Sequence, residues 1–266
     1  MCQNFDFLVF FRIFRQNERM LSNIWNLVLY QPLLNALAFL VSIIPGGDVG
    51  VAVIILTILV KVILFPLTQK SIENQAAMNI LAPELNKIKA SGVSKEKQAQ
   101  LTFELYRKHK TNPFSGCLPV LIQIPIIFAL YYVFFKGINF ESGLLYSFIH
   151  IPAKMNMIFL GVVDISKKSL VLAILAGISQ YFQAHFMPKL PTSPATSGSF
   201  QESFGKSMNM QMKYIFPFIM AFISYTSGVI ALYFITSNIF AVGQQIYVNK
   251  TEEKRLVKEV NDLVIK

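Results

Sequence analysis

The stretch VGVAVIILTILVKVILFPL, from Val49 to Leu67, decides the class to which this chain belongs. Its side chains are almost all hydrocarbon, yet Lys61 lies inside it. An α-helix of this length is about 28 Å long, which approaches the roughly 30 Å hydrocarbon core of a bilayer. The stretch therefore predicts a transmembrane helix that carries a cationic side chain within the membrane.

The composition of the whole chain agrees with a membrane protein. Of its 266 residues 54% are hydrophobic and only 14% are charged, whereas a soluble domain has about a quarter charged residues. The long apolar runs do not alternate in polarity, as the strands of a membrane β-barrel do. We therefore predict an all-α polytopic membrane protein. We assign the net charge of +10 to loops that follow the positive-inside rule and expect no direct nucleic-acid binding.

Five core transmembrane helices are predicted from the apolar runs. The last apolar block, 213–248, is too long for one crossing, and its SYTSG sequence at 224–228 divides it in two. The five predicted spans are 49–67, 116–135, 169–187, 213–225 and 228–248. Because their number is odd, the two ends of this core are predicted to lie on opposite sides of the membrane.

The segments between the spans differ in charge, and the difference predicts their side of the membrane. The segment 68–112 carries eight Lys and Arg against four Glu. Its apolar residues recur at helical spacing, so we predict a hairpin of two antiparallel helices. The segment 136–168 carries four Lys and is predicted to lie outside, with short surface helices. The hairpin, the Pro-, Ser- and Gly-rich loop 188–212 and the charged, helical tail 249–266 are predicted to be cytoplasmic.

The chain before the first core span divides into two segments. Residues 1–23 carry three arginines without a small-residue cleavage site, and Met20 is an alternative start. Residues 24–44 are apolar with a stripe of polar residues, which favours an amphipathic helix in the membrane interface over an extra span, the alternative that stays open. The PGGD sequence at 45–48 ends this helix. Since no transit-like peptide is recognised, the bacterial plasma membrane is the expected location.

Two interpretations of Lys61 are open. Its long side chain can reach the cytoplasmic headgroups, or it can face a hydrated cavity inside the helix bundle, as intramembrane charges usually do. Polar side chains in the other spans support the cavity, because polar groups in hydrocarbon seek one another or water. The candidate groove residues are Lys61, Thr57, Gln123, Ser179, Gln180, Gln183, Ser237 and Asn238. Each Gln, Ser or Asn can alternatively serve as a hydrogen bond between packed helices, and Gln244 and Gln245 lie near an interface, where solvation would explain them.

Four blocks of sequence carry a resemblance to a known family. They are LTILVKVILFPLTQKS, LAPELNKIK, ELYRKHKTNPFSGCLPVLIQIPIIFALYYVF and ALYFITSNIFAVGQQIYV. In this order they resemble the YidC/Oxa/Alb family of membrane protein insertases over about residues 20–250. The resemblance implies five core spans, a cytoplasmic hairpin after the first of them and an amphipathic helix at 24–44.

The resemblance also implies a function and a site. The family inserts and folds membrane proteins through a positively charged groove, alone or with the Sec translocon, so nascent membrane proteins, Sec, the ribosome and the lipid bilayer are the expected partners. The resemblance also places Phe234 in the groove, at a position where many relatives carry Trp. This chain departs from bacterial relatives at Lys61, where they usually carry arginine. It also departs from those relatives that have a long basic tail, because its residues 249–266 hold five basic and four acidic residues.

A small-solute transporter or channel that uses Lys61 is the alternative function. Transporters usually contain inverted repeats, and none is recognised in this sequence. The chain is not expected to be an enzyme or to hold a cofactor or metal, because Cys2 and Cys117 are far apart and His109, His150 and His185 have no ligand-like spacing. No phosphate-binding loop is recognised either.

Overall fold

A computed structural model describes residues 25–109, 111, 118–135, 143–150, 152, 154–187, 207 and 209–264. This part of the chain is mostly helical, as predicted, with one small two-stranded ribbon. Residues 1–23 and most of the loop 188–212 lie outside the described residues. The five-span arrangement and the cytoplasmic position of the hairpin remain predictions.

Eight α-helices are present in the described ranges. They are α1 (Gln31–Ile43), α2 (Val49–Ile80), α3 (Ala82–Ala90), α4 (Lys95–Lys108), α5 (Leu118–Phe135), α6 (Leu170–Phe186), α7 (Phe216–Tyr225) and α8 (Gly228–Val264). A wider helical turn with i to i+5 hydrogen bonding precedes α1 at Asn26–Tyr30, and another precedes α7 at Gln211–Ile215.

Two helices extend beyond the spans predicted within them. α2 continues past residue 67 to Ile80, with Pro66 inside it, and α8 continues through the charged tail to Val264. The run of apolar residues ends where a helix leaves the membrane. The helix can continue beyond that point, because polar residues do not interrupt its backbone hydrogen bonds. α7 and α8 are separated at Thr226 and Ser227, inside the SYTSG sequence.

The helices α3 and α4 follow α2 and pack on each other through apolar side chains. Leu81, Leu85 and Leu105 are buried there. Ser94 begins α4 as its N-cap, and its hydroxyl accepts a hydrogen bond from the Lys97 N–H at 3.3 Å. Burial raises the pKa of Tyr106 on α4 above its ordinary value. The apolar spacing of this segment therefore corresponds to a real contact between two short helices.

The polar stripe of residues 24–44 has a structural use. Asn35 on α1 is 2% exposed. Its side-chain amide donates hydrogen bonds to the Gln31 and Leu144 carbonyl oxygens at 2.7 and 3.0 Å, and its Oδ1 accepts one from the Tyr146 N–H at 2.7 Å. One polar residue of this stripe thus holds the chain that follows α5 instead of facing solvent. Whether this segment spans the membrane or lies in its interface remains a prediction.

The segment predicted to contain short surface helices instead contains a β-ribbon in its described part. β1 (Ile158–Phe159) pairs antiparallel with β2 (Val163–Asp164). Ile and Val favour strands because their branched side chains suit the pleated backbone. Gly161 lies in the connecting turn with a positive φ of 74°. Two-residue strands are too short to leave an alternating pattern in the sequence.

The ribbon is fixed to the first residues of α2 and α8. The Val49 N–H donates to the Asn156 carbonyl oxygen at 3.0 Å, and the Val229 N–H donates to the Ile165 carbonyl oxygen at 3.2 Å. Gly228 lies so close to the ribbon that a Cβ there would be 2.8 Å from the Ile165 Cα. Because backbone meets backbone at these contacts, the ribbon holds the starts of the two helices together.

The apolar core lies between the long helices. Its side chains come from α1, α2, α5, α6, α7 and α8, with Leu34, Leu37, Val53, Val133 and Val229 among the fully buried ones. Three described segments are long and apolar enough to cross a membrane: Asn26–Ile43, Val49–Gln75 and Gly228–Thr251. The apolar helices at Leu121–Leu130 and Leu170–Phe186 are shorter.

Candidate intramembrane polar site

Lys61 lies on α2 within the membrane-length stretch, and its ammonium group is turned toward α5. The Nζ atom donates a hydrogen bond to Gln123 Oε1 at 3.0 Å. Both side chains are partly exposed. The two residues belong to helices that are separated in the chain by α3 and α4. Their contact joins two candidate groove residues that the sequence predicts in different spans.

Gln123 extends this contact to a third helix. Its Nε2 donates a hydrogen bond to the hydroxyl of Tyr233 on α8. Lys61, Gln123 and Tyr233 therefore form a polar chain, which we name the Lys61 relay, across α2, α5 and α8. An amide can accept from a cation and donate to a hydroxyl at once, so Gln123 suits the central position.

A second polar contact joins α6 to α8. Asn238 Nδ2 donates a hydrogen bond to Ser179 Oγ at 2.9 Å, and the Ser179 hydroxyl donates to the Ala176 carbonyl oxygen at 2.8 Å. On the same helix as Ser179, Gln180 Nε2 donates to Gln183 Oε1 at 3.0 Å. These residues form a polar patch on α6 and the facing turn of α8.

The other candidate residues are buried near these contacts. Thr57 lies one turn before Lys61, but its hydroxyl donates to the Val53 carbonyl oxygen of its own helix at 2.7 Å, so it reaches no other helix through that bond. Phe234 is buried and packs edge-on against the Tyr233 ring, with centroids 5.3 Å apart. Ser237 is buried one turn beyond Tyr233. Their role in a groove remains a prediction.

No carboxylate within the described part of the chain forms an ion pair with Lys61. Among the described residues the sole ion pair joins Lys167 to Asp164, at 3.0 Å, in the ribbon segment. There, hydrogen bonds from Ser166 and then Lys167 lower the pKa of Asp164. An amide partner satisfies one ammonium donor but leaves the positive charge in place, so the Lys61 relay carries a net cation among apolar helices.

A third polar contact lies nearer the end of α2. Gln244 Nε2 donates hydrogen bonds to the Thr68 hydroxyl at 2.8 Å and to the Phe65 carbonyl oxygen at 3.2 Å. Gln244 and Gln245 are both buried, so the expectation that solvation alone explains them is wrong. The Thr68 hydroxyl also donates to the Phe65 carbonyl oxygen of its own helix at 3.1 Å, so Thr68, Phe65 and Gln244 form one polar contact between α2 and α8.

Sequence reasoning missed Tyr233 and Thr68. Tyr233 lies among the apolar residues of ALYFITSN, and a buried tyrosine hydroxyl usually requires a partner. Its position one turn before Ser237 was the available signal. No group of three His, Cys, Asp or Glu side chains suited to a metal is found within the ranges that the structure covers.

The fold and the site together define a multi-pass helical membrane protein with a lysine and other polar side chains among its packed helices. The chain belongs to the family described as 60Kd inner membrane protein, whose family model matches residues 39–255. This match agrees with the resemblance noted in the sequence.

Curated relatives of this chain are named membrane protein insertase YidC. A membrane protein insertase YidC of Fusobacterium nucleatum is 37% identical over 230 residues, which cover 84% of this chain and 97% of the relative. One of Clostridium tetani is 35% identical, with 81% of this chain and 89% of the relative covered. One of Wolinella succinogenes is 34% identical over 79% of this chain, and the match spans 35% of that longer relative.

Proposed function

We propose that this chain is a membrane protein insertase that moves polar segments of nascent membrane proteins through a hydrophilic, positively charged groove built around the Lys61 relay. Two relatives that match this chain over nearly their whole length are named insertases. An insertase is not an enzyme. The main support for the groove is the hydrogen bond from Lys61 to Gln123, because it directs the ammonium group of an apolar helix toward a neighbouring helix.

Insertion is a problem of desolvation. A polar segment that crosses the hydrocarbon core leaves backbone groups unsatisfied, and each costs several kcal/mol. A chain of polar side chains from α2, α5, α6 and α8 offers hydrogen-bond partners along part of that path. The apolar segment that follows can then leave sideways into lipid, and its burial drives the step without nucleotide hydrolysis.

The cation gives the groove a preference among substrates. At about 4 Å and an effective dielectric constant near 20, an ammonium attracts a carboxylate by roughly 4 kcal/mol before desolvation is counted. Lys61 lacks a carboxylate partner among the described residues, so its attraction is available to a substrate. Acidic residues in the translocated segment should therefore benefit most.

The proposed topology places the chain in the bacterial plasma membrane with α3, α4 and the C-terminus in the cytoplasm. The excess of Lys and Arg in segment 68–112 supports this orientation through the positive-inside rule. In that orientation α3 and α4 would meet a nascent chain first, with the ribosome or the Sec translocon as further partners. Cooperation with the Sec translocon and contact with the ribosome are further parts of this proposal.

Site-specific photocrosslinking to a stalled nascent membrane protein tests the groove. A crosslinking amino acid is placed at Gln123 or at Gln183, each in the otherwise unchanged chain. We expect adducts with the translocating segment from both positions. The matched control is Ile63 on α2, which is 74% exposed on the apolar surface and should yield mainly lipid adducts.

The result that would reject the groove is equally concrete. If Gln123 and Gln183 give only lipid or intramolecular adducts while Ile63 gives the nascent chain, the substrate passes along another face. Adducts at Gln123 alone would confine the path to the Lys61 relay and exclude the patch on α6.

A further inference from the structure

The ribbon exposes an apolar turn at the end of the molecule where α2, α6 and α8 begin. Val162 is 81% exposed, Leu160 66% and Ile158 47%. These three side chains follow one another around the connection between β1 and β2. Exposed apolar residues grouped in this way usually mark a surface that contacts lipid or another protein.

Leu160 has neither a conformational nor a packing reason to be leucine. Its φ is +50°, the left-handed region in which glycine and asparagine are favoured. Its N–H donates to Asp48 Oδ2 at 2.8 Å, a bond that any residue except proline could make. The turn thus holds an apolar side chain outward in a backbone conformation that is unfavourable to it.

The turn is held beside the start of α2 by hydrogen bonds and packing. Asp48 immediately precedes α2, and its Oδ1 accepts from the Val51 N–H at 3.1 Å. Phe159 packs over Gly50, where a Cβ would be 2.4 Å from its ring. Ser169 is the N-cap of α6. Because these helices enter the membrane here, the turn lies at the boundary between membrane and water.

The apolar surface continues from the turn onto a lipid-facing helix. Leu170 and Val171, in the first turn of α6, are exposed, and exposed apolar residues of a spanning helix contact lipid. Lys154 and Lys168 are exposed on the same segment and suit the phosphates of anionic headgroups, whereas Lys167 is paired with Asp164 at 3.0 Å. Apolar side chains beside cations at this depth match the requirements of an interfacial membrane anchor.

We propose that the turn from Ile158 to Val162 inserts into the lipid headgroup and upper acyl region of the leaflet at this end of the bundle. It acts as a wedge that fixes the height of α2 and α8 in the bilayer through the ribbon. The inference depends on the membrane spans and not on the groove, so it can fail while the insertase function stands.

Depth-dependent fluorescence quenching in the full chain tests the wedge. Cys2 and Cys117 are replaced by serine, and an environment-sensitive fluorophore is attached through Val162→Cys, with Ile158→Cys as a second position. The protein is reconstituted at low density in vesicles of phosphatidylcholine and phosphatidylglycerol. The quenchers are a phospholipid with a nitroxide high on its acyl chain and aqueous iodide. Ser166→Cys, on the same ribbon, is the matched aqueous control, and Ile63→Cys is the lipid reference.

We expect the nitroxide lipid to quench Val162 and Ile158 several-fold more than Ser166, and iodide to show the reverse order. Iodide quenching of Val162 equal to that of Ser166 would place the turn in water and overturn the proposal. Shielding of Val162 from both quenchers would also overturn it, since a second copy of the chain would then cover the turn.

Discussion

At the scale of single residues, Lys61 differs from most intramembrane lysines in its partner, which is an amide and not a carboxylate. Gln123 accepts from the ammonium group at 3.0 Å, and an amide cannot cancel its charge. A carboxylate partner would have made the pair neutral and self-contained. Lys61 is the one charged residue among the candidate groove residues, so the role of its charge is open to a direct test.

Reversing the charge should change insertion according to the substrate. Lys61→Glu is expected to reduce the insertion of a protein with an acidic translocated segment by about tenfold, which corresponds to roughly 1.4 kcal/mol. Lys61→Arg should retain most of the activity because it keeps the charge. The measurement is the fraction of substrate inserted into proteoliposomes that contain each variant at equal amounts.

A substrate whose acidic residues are replaced by their amides is the control for that experiment. Its insertion should differ much less between Lys61→Glu and the unchanged chain. Equal insertion of the acidic substrate by all three proteins would show that the charge has no role, even if the groove itself exists.

The residues of the polar site could be chosen from the sequence, but their pairing could not. Lys61, Gln123, Ser179 and Asn238 attracted notice because each interrupts an apolar run. Which of them meet depends on the rotation and height of packed helices, and these are set by many apolar contacts with no sequence signature. Tyr233 could not be recognised as a polar residue of the site, because its aromatic ring fits the surrounding apolar run.

At the scale of secondary-structure elements, the ribbon acts as a clamp on the starts of α2 and α8. Gly228 permits this because its Cα approaches Ile165 more closely than a side chain would allow. Gly47 serves the same purpose beside α2, where its φ is +64° and a Cβ would be 2.3 Å from the Lys154 carbonyl oxygen. Both contacts join backbone to backbone, so a side chain cannot move aside to relieve them.

Gly228→Ala should therefore destabilise the protein. A methyl group 2.8 Å from the Ile165 Cα must displace the ribbon, and overpacking of this kind costs about 1–3 kcal/mol. The measurement is the midpoint of thermal unfolding in detergent micelles. Gly243→Ala is the matched control on the same helix, because nothing lies within 4 Å of its Cβ position. It should be neutral or slightly stabilising, and equal loss in both variants would contradict the clamp.

The helices were more predictable than the connections between them. Long apolar runs and the PGGD and SYTSG breaks indicate where α2 and α8 begin, because backbone conformation there depends on local residues. The continuation of α2 to Ile80 leaves no such signal, since the change from lipid to water alters composition without interrupting the helix. The ribbon is held by distant backbone contacts and is invisible to any local pattern.

At the scale of the whole molecule, the pair formed by α6 and α7 is short for a bilayer. α6 contains 17 residues and is about 25 Å long, whereas a typical hydrocarbon core is roughly 30 Å thick. Cations contact aromatic rings at both ends of the pair. Lys168 Nζ lies 5.9 Å from the Tyr225 ring centroid, and Lys213 Nζ lies 5.6 Å from that of Tyr214. Such residues favour the membrane interface.

We expect the distance between these two cation–aromatic contacts to influence the bilayer thickness that the protein prefers. Lys213 and Tyr225 are about 18 Å apart along a helix, so lipid around α6 and α7, as predicted spans, would thin to meet them, at a fraction of a kcal/mol for each ångström of mismatch. We expect the midpoint of thermal unfolding to be highest in phosphatidylcholines with short acyl chains and to fall as the chains lengthen. Lys168→Leu, which moves the apolar boundary of α6 outward, should shift the optimum toward longer chains. A midpoint independent of acyl-chain length, or an optimum unchanged in Lys168→Leu, would mean that the long helices α2 and α8 alone set the position of the protein in the bilayer.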